Sequence, residues 1–145
     1  MKLSYCETFC AWFPDNKACY QYLYGLKSSR PFACLKCGHD AFSKGRTRYH
    51  RRCKSCGYDE SPLTGTLFAG IRLPLQKAFY LLYKMRTQRR EMSALQIARR
   101  FGLHPRTALR LKKRFCSGIA ALPAPAPGPP SPAFLYGILL SGKEA

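Results

Sequence analysis

Two Cys-x-x-Cys-Gly units, Cys34–Gly38 and Cys53–Gly57, bracket the stretch CLKCGHDAFSKGRTRYHRRCKSCG, with fifteen residues between the inner cysteines. A two-residue spacer lets both thiolates of a pair meet one ion at a tight turn. Tetrahedral zinc takes four such ligands at about 2.3 Å. Gly38 and Gly57 follow the pairs where a left-handed backbone is easy only for glycine. Two separate redox dithiols, or a chance clustering of cysteines, would not explain the doubled glycine. The spacing therefore predicts one structural Zn2+ on Cys34, Cys37, Cys53 and Cys56. Four thiolates close the coordination shell and leave no position for water or substrate, so no catalytic residue is assigned here. Such a site stabilises its fold by about 10–16 kcal/mol in apparent terms, and loss of one ligand should unfold so small a block. His39 and His50 are alternative ligands in principle, but four cysteines suffice and both are read as surface residues. Cys6, Cys10, Cys19 and Cys116 match no common metal framework and are read as small, partly buried residues.

The chain around this site is strongly basic. Lys and Arg outnumber Asp and Glu by 25 to 7 over 145 residues, a net charge of +18. That excess points to a polyanionic partner, most often nucleic acid. The length suits one ordinary domain or two small modules. Glu7 and Asp15 interrupt the apolar run a signal peptide would need. No segment approaches the ~20 apolar residues of a membrane helix, and FLYGILL (134–140) is too short to span. No membrane partner is expected. A cytoplasmic location follows, where thiols stay reduced and eight cysteines suggest metal before disulfides.

The expected fold is small α+β: a four-cysteine zinc ribbon of short β-hairpins flanked by helices, then a helix-turn-helix module and a disordered Pro-rich tail. Residues 1–30 form a helical lead. Residues 1–13 are ill-defined, Asp15 caps a helix over 16–27, and Ala18, Tyr22, Leu23 and Leu26 make its apolar stripe. Residues 31–70 hold the ribbon, where the TRYHRR alternation suggests hairpins, followed by a Ser/Pro/Gly loop over 61–70. Residues 71–116 hold the helical module. Pro74 opens its first helix, with Leu75, Ala78, Phe79, Leu82 and Met85 on one stripe. Residues 117–145 are a tail built on ALPAPAPGPPSP (121–132), a Pro/Ala run that should be extended rather than packed.

SALQIARRFGLHPRTALRLKKRF (93–115) has helix-turn-helix order: a helix capped by Ser93, a turn at Gly102, and a second helix from Pro105. Leu95, Ala98 and Phe101 are expected to face inward against Ala108, Leu111 and Phe115. Arg106, Arg110, Lys113 and Arg114 fall on the opposite side, an apolar back and a cationic front that suit a major groove. Arg106 and Thr107 lie near the N-terminus of this helix, where base edges are reached, and Arg110 can pair bidentately with guanine. Lys112, Lys113 and Arg114 suit phosphates. Arg46, Arg48, Arg51 and Arg52 of the ribbon would add cations on its sheet faces.

Several short stretches together resemble a known family. FPDNKAC (13–19), CLKCG (34–38), RRCKSCGYDESPLTGTLF (51–68), RLPLQKAFYLLY (72–83) and SALQIARRFGLHPRTALRLKKR (93–114) look like the N-terminal part of zinc-ribbon insertion-sequence transposases, over about residues 9–116. The resemblance implies a bacterial, nucleoid-associated mobile-element protein of DNA recombination that recognises the double-stranded ends of its element. It also implies zinc on Cys34, Cys37, Cys53 and Cys56, with the helix over 105–115 as DNA reader. The family continues into an RNase H-like domain whose acidic triad holds two divalent metals. Here only Glu144 follows residue 116. The expectation is therefore a truncated or frameshifted transposase, not itself an enzyme, with 117–145 an out-of-frame or degenerate tail. A homo-oligomer is compatible with this. The alternatives are a stand-alone zinc-ribbon/helix-turn-helix transcriptional regulator and a basic RNA-binding zinc ribbon protein. The capped helix pair argues against RNA, whose A-form major groove admits no helix.

Overall fold

The computed structural model describes residues 7–28, 31–64, 66–87 and 92–120. Among them it is a small α+β fold of five helices and one three-stranded antiparallel sheet. The helices are α1 (Glu7–Trp12), α2 (Asn16–Ser28), α3 (Leu75–Thr87), α4 (Ala94–Phe101) and α5 (Pro105–Ala120). The strands β1 (Phe42–Lys44), β2 (Arg51–Cys53) and β3 (Asp59–Glu60) lie in the order β1-β2-β3. Phe42 pairs with Cys53, and Arg51 with Glu60.

The lead is more ordered than its sequence suggests. Residues 7–12 form a helix because Phe9 is fully buried and packs on Phe13 and Tyr80, an aromatic contact with no local periodicity to announce it. Asp15 begins α2 as expected, its carboxylate accepting the Ala18 N–H at 2.8 Å. The buried residues of α2 are Cys19, Leu23 and Lys27 rather than the full stripe expected.

The main core lies between α3 and its neighbours. Leu75, Ala78, Phe79, Tyr80, Leu81 and Leu82 are all buried, so α3 is covered by α2 on one side and α5 on another. The Ser/Pro/Gly loop contributes to this core rather than to the ribbon. Phe68 stacks on Phe79 with centroids 5.0 Å apart, and Phe115 of α5 meets Phe68 edge-on at 5.6 Å. A second, smaller cluster of Phe32, Cys34 and Cys53, with Phe42 and Tyr58 against it, belongs to the sheet.

Helices α4 and α5 pack on each other. Ser93 and Gln96 close a capping box: the Ser93 hydroxyl accepts the Gln96 N–H at 3.1 Å, and the Gln96 side chain accepts the Ser93 N–H at 2.9 Å. Gly102 ends α4 in a left-handed conformation, and Lys77 of α3 donates to the Phe101 carbonyl at 2.8 Å. Ala108, Leu111 and Phe115 face the core as expected. The inward face of α4 is Ile97, Ala98 and Phe101. Leu95 points outward, 52% exposed, because it is two residues, about 200° of helix rotation, from Ile97. Helix α5 also continues past the expected end at Phe115 to Ala120, so the first residues assigned to the tail are helical. The Pro-rich stretch, residues 121–132, lies outside the described residues.

Candidate metal centre and cationic surface

The two knuckles are built alike. In each, the first cysteine's carbonyl accepts the glycine N–H, Gly38 to Cys34 at 2.9 Å and Gly57 to Cys53 at 3.1 Å. Each glycine then takes φ near +80°, at 80° and 77°, a region that strains any residue with a Cβ. The turn swings two backbone N–H groups onto the leading sulfur. Lys36 and Cys37 donate to Cys34 Sγ at 3.4 and 3.5 Å, and Ser55 and Cys56 to Cys53 Sγ at 3.3 and 3.5 Å. Pairing of β1 with β2 brings the second knuckle opposite the first.

The four sulfurs of Cys34, Cys37, Cys53 and Cys56 then lie within 4.8 Å of one another, close enough to hold one metal ion. Two cross-pair separations are 3.6 Å (Cys34 to Cys56) and 3.5 Å (Cys37 to Cys53). A regular tetrahedron of thiolates at about 2.3 Å from zinc has edges of about 3.8 Å, so the donor set matches that ion in type, number and spacing. Burial alone would raise the Cys34 thiol, but the N–H donors from Cys37 and Lys36 bring it down to about 6. Cys53 is lowered in the same way by Cys56 and Ser55 against the opposing effect of burial. The leading cysteine of each knuckle is thus predisposed to be thiolate. His39 and His50 are not in the cluster; His39 contributes its backbone carbonyl to Cys34, and His50 Nδ1 pairs with the Thr47 hydroxyl at 2.6 Å. Cys10, Cys19 and Cys116 also stand apart from it, and Cys6 lies outside the described residues. The Cys19 thiol is pushed up to about 12 by burial and by the Asp15 charge.

The ribbon is fixed to the helical lead by a buried ionic network that sequence reading missed. Glu60 accepts Lys27 Nζ on one oxygen at 3.0 Å and the Arg51 guanidinium on the other at 3.2 Å, and all three residues are less than 9% exposed. Lys27 also donates to the Ser61 carbonyl at 3.0 Å. Arg51 lies over the Phe32 and Phe42 rings, 5.0 and 5.4 Å from their centroids. The expectation of Arg51 as a DNA contact is corrected by this placement: its register opposite Glu60 turns it inward. Nearby, Tyr49 stacks on Tyr20 of α2 at 5.8 Å.

The other sequence-assigned cations are exposed in two places. Arg46 and Arg48 sit on the 45–50 loop, and Arg52 faces outward from β2, 3.7 Å from Asp59. On α5, Arg106, Thr107, Arg110 and Lys113 are exposed on the side away from Ala108 and Phe115. Arg114 stands on the flank of that face. Its NH1 donates to the Ala69 carbonyl at 2.7 Å and more weakly to Leu67, so it braces the 67–69 turn.

No protein-family model, curated protein or solved structure matches this chain.

Proposed function

We propose that this chain is a zinc-stapled, duplex-DNA-binding module in which α4 and α5 act as a helix-turn-helix and α5 enters the major groove. The observation that carries this is the division of α5. Ala108, Leu111 and Phe115 are buried against the core, while Arg106, Arg110 and Lys113 project from the opposite face. Among the described residues, none of these three cations is paired with a carboxylate. Cations left uncompensated on a rigid helix face, in a chain of net charge +18, suit a polyanion. Arg106, Thr107 and Arg110 are the base-reading candidates. Lys113, with Arg46, Arg48 and Arg52 of the ribbon, supplies phosphate contacts.

The metal's part is structural. One zinc on four thiolates holds a sheet too small to stand on its own apolar cluster. Two carboxylates of the ribbon hold structure: Glu60 in the buried network, and Asp59 on Arg52 and the Arg46 N–H. The resemblance to insertion-sequence transposases makes element-end recognition the most specific form of this proposal.

Selection of bound duplexes from a random pool, followed by binding of Arg110→Ala to the selected site and to random duplex, tests the reading. The variant should lose about 1–3 kcal/mol on the selected site and much less on random duplex. Equal loss on both would remove Arg110 as a base reader.

A further inference from the structure

Between residues 70–73 and the first half of α5 runs a cleft of about 530 Å3. Its α5 wall is Thr107, Arg110, Leu111 and Arg114, the i, i+3, i+4, i+7 positions of one helix stripe. Its other wall is the segment before Pro74, carrying Arg72, which is exposed. Three arginines thus converge on one concavity floored by aliphatic side chains. Among the described residues no carboxylate pairs with any of them. Like charges gathered in a cleft repel one another, and low-dielectric walls focus the field they produce. The arrangement is stable as a solvated surface but complementary to an anion that sits among them.

The cleft is also braced. The NH1 of Arg114 is committed to the Ala69 and Leu67 carbonyls, which fixes the 67–69 turn that leads into residues 70–73. Pro74 closes the segment on the other side, immediately before α3. The wall at residues 70–73 thus lies between the turn that Arg114 holds and the start of α3, and it sets Arg72 across the cleft from Arg110.

We propose that this cleft grips the sugar-phosphate backbone of the duplex beside the groove that α5 enters, with Arg72 as a phosphate contact and Arg114 as the positioning residue that keeps the cleft open. The inference rests on the duplex-DNA reading of α5 and adds a second wall to it. Arg110 lies at the junction, on the helix face and in the cleft, so a strand in the cleft passes directly beside the base-reading positions. Ile71, Leu73 and Leu111 give the deoxyribose an apolar surface, as in other pockets where a few polar groups orient a ligand over an apolar floor.

The test is the salt dependence of binding by the zinc-loaded full chain to a random-sequence duplex, read by fluorescence anisotropy. Arg72→Ala should reduce the magnitude of the log–log salt slope by about 0.9, which is a loss of about eightfold at 0.1 M salt that vanishes toward 1 M. Thr107→Glu places an anion in the cleft. It should weaken binding more, yet leave helix content unchanged, because an acidic residue in a first turn suits the helix dipole. Circular dichroism and zinc content check that both variants fold. Wild-type affinity and slope in Arg72→Ala, while Arg110→Ala still loses affinity for the selected duplex, would overturn the cleft and leave the α5 reading standing. A wild-type chain with no salt-dependent duplex binding overturns both. A loss seen on an RNA stem but not on duplex DNA, or a loss of equal size at every salt concentration, also rejects the cleft as a DNA backbone site.

Discussion

Glu60 neutralises two buried cations with one carboxylate, so its removal should cost far more than that of any surface charge. Glu60→Gln keeps the shape but withdraws the Glu60 charge from buried Lys27 and Arg51. A loss of about 3–5 kcal/mol is expected in urea denaturation. Arg52→Ala, which removes a pair that is half exposed on the Arg side and 3.7 Å long, should cost no more than about 1 kcal/mol. A small effect at Glu60 would mean that the network is hydrated in solution. None of this could be seen in the order of residues. Arg48, Arg51 and Arg52 look alike in a basic run. Only the pairing of Arg51 with Glu60, in a strand of two residues, sends one of them inward. Leu95 misled for a related reason: SALQIARRF offers Leu95 and Ile97 to the same core, and the helix can bury only one.

At the scale of elements, the parts carried by local chemistry were legible. The two knuckles, the Asp15 and Ser93 caps, the Gly102 stop and the apolar back of α5 all follow from short spacings. What depended on distant partners was not. Helix α1 exists because Phe9 fills space beside Tyr80, and residues 66–68 join the helical core through Phe68. Ser93→Ala removes the hydroxyl half of the capping box, leaving the backbone N–H that Gln96 accepts, and should lower stability by about 1 kcal/mol, with protection lost first in α4 by hydrogen exchange. The metal centre should be acid-labile. Protons compete with the ion for four thiolates, so affinity measured against a chelator must fall as pH falls. Against burial, backbone N–H donors hold the Cys34 thiol down to about 6; the His39 backbone lowers Cys37, but the Cys53 side chain, burial and the other sulfurs push it up to about 11, so the ion must displace a proton there throughout this range. Affinity independent of pH between 5 and 8 would argue against thiolate ligation.

At the scale of the whole molecule, two cores of different chemistry stand side by side. One is aromatic and aliphatic, built on α3; the other is a few side chains around four sulfurs. Removal of the metal should therefore act unevenly. Amides of residues 34–60 are expected to lose exchange protection on chelation, while those of α3 and α5 keep theirs. Uniform loss would show that the buried Lys27–Glu60–Arg51 network couples the two cores into one cooperative unit. If, as proposed, the metal-stapled scaffold presents an uncompensated cationic surface to duplex DNA, binding must weaken as salt rises. The deciding experiment is the affinity of the zinc-loaded full chain for a duplex across a salt series. A straight log–log dependence is expected, with a negative slope of about 0.9 per phosphate contact, amounting to several contacts. Absent binding, or an affinity indifferent to salt, would contradict it.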